Sequence, residues 1–242
     1  MMWLNPPDNL ILSEEEAHIW RADLELDECF ESSFLKLLSP DEKSRAHKFR
    51  FAKDRRNFII ARGILRSLIG KYLEINPAEI SFQYSEFGKP SIANNNSLRF
   101  NISHSQNIAL FAFTKKFNIG VDVEFVNPNI EAKDIANNFF SPNEIKKLLL
   151  LPEQQQTLGF FNCWTRKEAF IKAVGEGLSF PLHKFEVSLE PDKPAKLLAT
   201  DWDPKAVSNW SIFSMSPGAN FVGSLAIEGL VEKVKFWNWQ KR

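Results

Sequence analysis

Apolar and polar positions change period several times along this chain. From Arg55 to Ile69, the residues Phe58, Ala61, Leu65 and Leu68 recur at helical spacing, and Gly70 reads as the close of that segment. A second helical stretch runs from about Gln156 to Val174 and meets Gly175-Glu176-Gly177. Helix starts are written as a Ser cap three residues ahead of an acid: Ser13 with Glu16, Ser39-Pro40-Asp41-Glu42, and Ser141-Pro142-Asn143-Glu144. The hydroxyl can accept from a free helical N–H while the carboxylate returns to the N–H of the cap. Pro at the first helical position gives up only an N–H that would have no partner there.

The period drops to two in the middle and at the end. Residues 98–102, 108–114 and 119–125 read as strands, the last two joined by a polar turn around Lys115, Lys116 and Asn118. Further β-like stretches cover 185–189, 209–215, 221–227 and 231–239. Helix and strand mix in both halves, which predicts an α+β fold. No low-complexity linker divides the chain, and the turn at 115–118 is the natural boundary, giving subdomains 1–117 and 118–242.

Composition narrows the classes. With 242 residues, 44% of them hydrophobic, the chain can bury a sizeable core, and 22 Phe and 7 Trp exclude a mainly disordered protein. No apolar run approaches the roughly 20 residues that span a bilayer. Residues 1–7 lack a basic segment followed by an apolar one, so no secretory signal is expected. Two cysteines, Cys29 and Cys163, make no disulfide framework and fit a reducing cytoplasm. The balance of 30 Lys+Arg against 30 Asp+Glu argues against a nucleic-acid coater.

That balance is uneven along the chain. Residues 1–42 hold eleven acids and two bases, whereas 43–71 hold ten bases and only Asp54 as an acid. A basic block of this kind suits a phosphate-bearing ligand or an acidic protein, and equally a solvated helix face.

Three constellations carry candidate chemistry. In Gly120-Val121-Asp122-Val123-Glu124, strand alternation puts Asp122 and Glu124 on one face with Val121 and Val123 behind. Two adjacent carboxylates repel unless a cation or hydrogen bonds compensate, and a hard ion such as Mg²⁺ would do so. The same spacing also describes a plain half-exposed strand. Trp164, Glu168 and Lys172 follow at i, i+4 and i+8 on one helical stripe, where Glu168 could join a metal site or serve as a base. A surface Glu–Lys pair is the alternative there. In Asn101-Ile102-Ser103-His104-Ser105 the adjacent Ser103 and His104 face opposite ways in a strand, so they suit phosphate binding or a capped turn better than a nucleophile–base pair. Ahead of it, Pro90 holds Gly88-Lys89-Pro90 extended while Lys89 can reach a phosphate. There is no Gly-rich phosphate loop and no zinc spacing. Cys163, beside Trp164, reads as a small buried residue.

In this order, the segments resemble the 4′-phosphopantetheinyl transferases of the surfactin-synthetase type, within the holo-carrier-protein synthase superfamily. The matching run is Gly88-Lys89-Pro90, Phe100 to Ser105, Gly120 to Glu124, Phe139-Phe140-Ser141-Pro142-Asn143-Glu144, Trp164 to Lys172 and Gly175-Glu176-Gly177-Leu178, covering about residues 40–190. The resemblance implies a pseudo-dimer of two similar α+β halves with the active site in the cleft between them. It implies transfer of 4′-phosphopantetheine from coenzyme A to a serine of an apo acyl or peptidyl carrier protein, releasing adenosine 3′,5′-bisphosphate. Asp122, Glu124 and Glu168 match the family's metal ligands for Mg²⁺, with Mn²⁺ also possible. Glu168 matches the base, and Lys172 is placed to stabilise the leaving phosphate oxygen. Lys89, Pro90, Ser103 and His104 match coenzyme A contacts, and Arg62 matches an arginine on the nucleotide 3′-phosphate. Lys43, Arg45, Arg55 and Arg56 are further basic candidates, while Asn57 departs from an often basic position. A monomer in the cytoplasm is expected, with Phe139 and Phe140 either touching the carrier or lying in the core. The competing readings are a metal-dependent nucleotide phosphohydrolase and a non-catalytic coenzyme A or carrier-binding module.

Overall fold

Each half of the chain lays down one strand, three helices, a hairpin and two more strands. The computed structural model describes residues 2–95 and 97–240. The first half contains β1 (Glu16–Asp23), α1 (Glu28–Leu37), α2 (Pro40–His47), α3 (Ala52–Leu73), β2 (Phe82–Tyr84), β3 (Pro90–Ile92), β4 (Arg99–Ser105) and β5 (Ile108–Thr114). The second repeats the series as β6 (Ile119–Phe125), α4 (Ala132–Phe139), α5 (Pro142–Leu150), α6 (Glu153–Val174), β7 (Phe185–Val187), β8 (Leu197–Thr200), β9 (Trp210–Met215) and β10 (Phe221–Glu228). A last strand, β11 (Lys233–Asn238), returns to the first half and pairs in parallel with β1.

The two larger sheets have the orders β11-β1-β5-β4 and β6-β10-β9. In both, the half's first strand pairs antiparallel with its last, which pairs antiparallel with the one before it. This is a pair of similar α+β halves. Their inner faces meet in a core of Ile19, Leu110, Val121, Val123 and Leu225, while α3 and α6 each cover a separate aromatic-rich core.

Local chemistry explains most elements. Ser39 and Ser141 open α2 and α5 with capping boxes closed by Glu42 and Glu144, and each carries Pro at the first turn. The α3 and α6 helices each run 22 residues and end on a left-handed residue, Glu74 and Gly175. Two expectations fail. Ser13 and Glu16 open no helix: the chain makes a turn, with the Glu16 N–H on the Ser13 carbonyl, and enters β1. Ala17 to Ala22 are apolar on both faces apart from His18 and Arg21, and pairing on both edges outweighs a cap with no apolar helical period behind it. Gly70 does not close α3 but sits inside it, where a Cβ would lie 2.8 Å from the Ile75 carbonyl oxygen. The glycine serves close packing against the Ile75–Pro77 segment.

His18 on β1 is fully buried, with Nδ1 2.8 Å from the Tyr72 hydroxyl, which also accepts from Trp20 Nε1 at 2.8 Å. Burial first, and the Lys235 ammonium second, push its pKa down from 6.5 to about 4, against a smaller opposing effect of Glu16. The unfolded chain therefore binds this proton more readily. Stability from neutral His18 is complete above pH 6.5 and drains away as pH falls toward 4, by up to about 3 kcal/mol. Urea unfolding at pH 7 and pH 5 should show the drop, and His18→Gln should flatten it.

Candidate active site

The strands β4 and β6 run side by side without a shared backbone ladder, and alternate side chains of β4 join them. Asn101 Oδ1 accepts from the Val121 N–H (2.9 Å), Ser103 Oγ donates to Asp122 Oδ1 (2.8 Å), and Ser105 Oγ donates to Glu124 Oε2 (3.0 Å) while accepting from the Phe125 N–H (3.1 Å). Strand alternation sends positions 101, 103 and 105 to this seam together. On its far side α6 lies directly on β6. A Cβ at Gly120 would stand 2.0 Å from the Ala169 carbonyl oxygen and 2.4 Å from the Ala173 nitrogen, so only glycine allows this approach.

That approach brings Glu168 and Lys172 of α6 to the Asp122 and Glu124 face of β6. Lys172 Nζ lies 2.6 Å from Asp122 Oδ1 and donates to Ser103 Oγ at 3.1 Å. Burial, partly offset by Lys172 and reinforced by Asp122 and Glu124, raises Glu168 to about 7. Glu124 is also raised, by burial and then by Asp122. Desolvation alone would lower Lys172, but Asp122, Glu168 and Glu124 together outweigh it and keep the ammonium charged. Asp122 is 2% exposed and its Oδ2 has no hydrogen-bond partner, an open carboxylate oxygen in a buried acidic group. Among the described residues no three His, Cys, Asp or Glu side chains stand close enough to hold a metal as placed. The donor chemistry nonetheless fits a hard cation: all-oxygen ligands, with one buried oxygen unpartnered.

Beside this cluster is a cavity of about 340 Å³ lined by Arg45, Phe58, Arg62, Tyr84, Pro90, Ser103, His104 and Lys172. Cations dominate its charged lining. Arg62 Nε is 3.0 Å from Glu42 Oε1, and Nη2 donates to the Tyr84 hydroxyl at 3.0 Å. Its guanidinium lies 4.8 Å over the Phe82 ring. His104 is lowered in pKa by desolvation first and the Lys172 ammonium second.

The structure thus gathers Arg62, Pro90, Ser103, His104, Asp122, Glu124, Glu168 and Lys172 at one seam. Of Lys43, Arg45, Arg55 and Arg56, Arg45 lines the cavity. Arg56 instead donates to the Leu26 carbonyl and faces Glu31 of α1, and Asn57 donates to the Gln106 carbonyl at 2.9 Å. Lys89 donates to the carbonyls of Ile119 (3.3 Å) and Ala173 (2.9 Å) and lines an adjoining pocket of about 200 Å³ with Pro90 and Lys172. Phe140 is core, whereas Phe139 is 40% exposed and meets Trp164 edge-on at 5.6 Å. Tyr84 and Ser105 escaped sequence reasoning as site residues. Ser105 was legible in principle from the alternating Asn-x-Ser-x-Ser pattern, but Tyr84 had no local signal.

A family model described as "4′-phosphopantetheinyl transferase superfamily" matches residues 118–226, and one described as "4′-phosphopantetheinyl transferase, N-terminal" matches 27–116. The chain is 38% identical over 240 residues to the 4′-phosphopantetheinyl transferase HetI of Nostoc sp., covering 98% of both chains. It is 35% identical over 159 residues to the 4′-phosphopantetheinyl transferase Sfp of Bacillus subtilis, covering 66% of this chain and 70% of that one. Among solved structures, a holo-[acyl-carrier-protein] synthase of Thermotoga maritima matches 46% of this chain and 62% of its own, at 20% identity and a TM-score of 0.37.

Proposed function

The chain belongs to the 4′-phosphopantetheinyl transferase superfamily, and from that premise we propose how its own residues carry out the reaction. The protein transfers 4′-phosphopantetheine from coenzyme A to a serine hydroxyl of a carrier protein, leaving adenosine 3′,5′-bisphosphate. One observation carries the reading: Lys172 belongs both to the carboxylate cluster and to the wall of the cation-lined cavity. The phosphates of coenzyme A fit the cavity, and the bond to be broken then lies beside the carboxylates.

Arg45, Arg62 and His104 hold and orient the nucleotide phosphates through charge-assisted hydrogen bonds. Asp122, Glu124 and Glu168 would hold a divalent cation, Mg²⁺ or Mn²⁺, which when bound offsets the charge growing on the pyrophosphate. Glu168 accepts the proton of the incoming serine, directly or through a water, because its raised pKa matches a base working near neutral pH. Lys172, held by Asp122 and Ser103, presents its ammonium to the leaving phosphate oxygen. We place the division of labour between 1–117, which supplies the phosphate pocket, and 118–242, which supplies the carboxylates. No helix of the described residues is long and apolar enough to cross a membrane.

The test is intact-mass measurement of a purified apo-acyl carrier protein incubated with this protein, coenzyme A and Mg²⁺. A gain of one phosphopantetheine group is expected. Coenzyme A breakdown with no gain on the carrier would favour a phosphohydrolase, and binding without chemistry a binding module. His104→Ala should raise the KM for coenzyme A by roughly tenfold with little change in kcat, as expected for a lost hydrogen bond to a charged phosphate. An unchanged KM would remove His104 from the nucleotide site.

A further inference from the structure

Lys89 stands between the two halves, beside the nucleotide cavity in an adjoining pocket of about 200 Å³ that it lines with Pro90 and Lys172, and its ammonium is engaged by backbone carbonyls. It lies in the turn of the β2–β3 hairpin, between Gly88 and Pro90, and its ammonium donates to the Ile119 carbonyl at the start of β6 and to the Ala173 carbonyl in the last turn of α6. The Ala173 carbonyl is one of the four that a helix C-terminus leaves without an intrahelical partner, and a cation there also meets the negative end of the helix dipole. The stem of Lys89 packs on the turn that ends the helix. At Gly175, φ is +94°, and a Cβ would fall 3.3 Å from Lys89 Cδ. Burial pulls the Lys89 pKa down to about 8, with Arg99 adding to the effect. A half-buried ammonium held by two backbone carbonyls gives up both charge-assisted bonds when it leaves its place.

The elements joined are the ones the reaction has to align. The hairpin contributes Tyr84, Gly88 and Pro90 to the nucleotide cavity. The β6 strand carries Asp122 and Glu124, and α6 carries Glu168 and Lys172. We propose that Lys89 is a positioning residue for transfer: by capping α6 and holding the start of β6, it sets where the nucleotide pocket sits relative to the carboxylate cluster. This rests on the functional reading above. It differs from the role on a coenzyme A phosphate that the family resemblance implies for Lys89, and the two roles separate kinetically. Loss of a phosphate contact weakens coenzyme A binding. Loss of alignment leaves the nucleotide bound but lowers the rate of the chemical step, which falls steeply with small errors in the placement of reacting groups.

The experiment uses the full chain carrying Lys89→Met, which keeps the stem over Gly175 and removes the ammonium. Steady-state transfer to apo-acyl carrier protein is measured with coenzyme A and with 3′-dephospho-coenzyme A, alongside calorimetric titration of coenzyme A. The expected result is a kcat at least tenfold lower, by the same factor for both nucleotides, with the coenzyme A Kd within twofold of wild type. That unchanged Kd also certifies a folded nucleotide pocket. A tenfold rise in Kd or KM with kcat intact would overturn the proposal in favour of a phosphate contact. Wild-type values throughout would overturn it as well. If the wild-type protein itself modified no carrier, the failure would lie with the functional reading, not with Lys89.

Discussion

Glu168→Ala is expected to lower carrier modification by roughly a thousandfold while leaving coenzyme A binding largely intact. The carboxyl is half-buried on the α6 stripe that also carries Lys172, and desolvation with Asp122 and Glu124 nearby holds its pKa at about 7. It therefore combines the proton affinity of a neutral-pH base with a position against the acidic face of β6. Its removal should leave the cavity intact, since Arg45, Arg62 and His104 come from other elements. The decisive measurement is single-turnover transfer to an apo-carrier at saturating coenzyme A, with binding followed separately by calorimetry. Glu168→Gln sharpens it, because the amide keeps the volume but takes no proton. A variant that modified the carrier at the wild-type rate would end the assignment of Glu168 as base.

Much of this site was legible in the sequence, though for uneven reasons. The strands β5 and β6 are apolar or alternating runs bounded by a polar turn, so their ends could be read to the residue. The capping boxes of α2 and α5 were equally plain, because the signal lies within four consecutive residues. By contrast β1 was hidden behind the Ser13–Glu16 signature, since what makes it a strand is pairing with β5 and with β11, which lies at the other end of the chain. The same limit applies to chemistry. Asp122, Glu124 and Glu168 sit at spacings that are individually ordinary, and only their order along the chain revealed a family. Tyr84 and the actual targets of Lys89 depend on a hairpin folding over α3 and reaching α6. No local pattern encodes such contacts. The basic block of 43–71 divides in the same way: Arg45 and Arg62 face the cavity, Arg56 turns to α1, and Arg66 is buried.

Glu144→Gln should lower the unfolding free energy by about 3–5 kcal/mol, the scale for stranding one member of a buried ion pair. Glu144 and Lys167 are both fully buried, 2.8 Å apart. Glu144 also accepts from the backbone N–H groups of Ser141 and Val187, and Lys167 Nζ donates to the carbonyls of Leu182 and Phe185. Together they fasten the start of α5, the middle of α6 and β7. The first half has the same device at the same place: Glu42 closes the α2 capping box and pairs at 2.7 Å with Arg66, which donates to the Pro77 and Ile80 carbonyls. Arg66 and Lys167 occupy the same position in their 22-residue helices. Aligned on this pair, Arg62 corresponds to the buried Cys163, Ser67 to Glu168 and Lys71 to Lys172. The repeated fold has therefore kept its internal clamp twice and divided its chemistry, with the phosphate-facing arginine in one copy and the base in the other. Urea unfolding of Glu144→Gln, with an unchanged denaturant slope, tests the clamp. The double variant Glu144→Leu with Lys167→Met should recover part of the loss, because no charge is then left stranded. If Glu144→Gln unfolded at the wild-type midpoint, the pair would contribute nothing to stability. The fixed placement of α6 on β6, and with it Glu168, would then need another source.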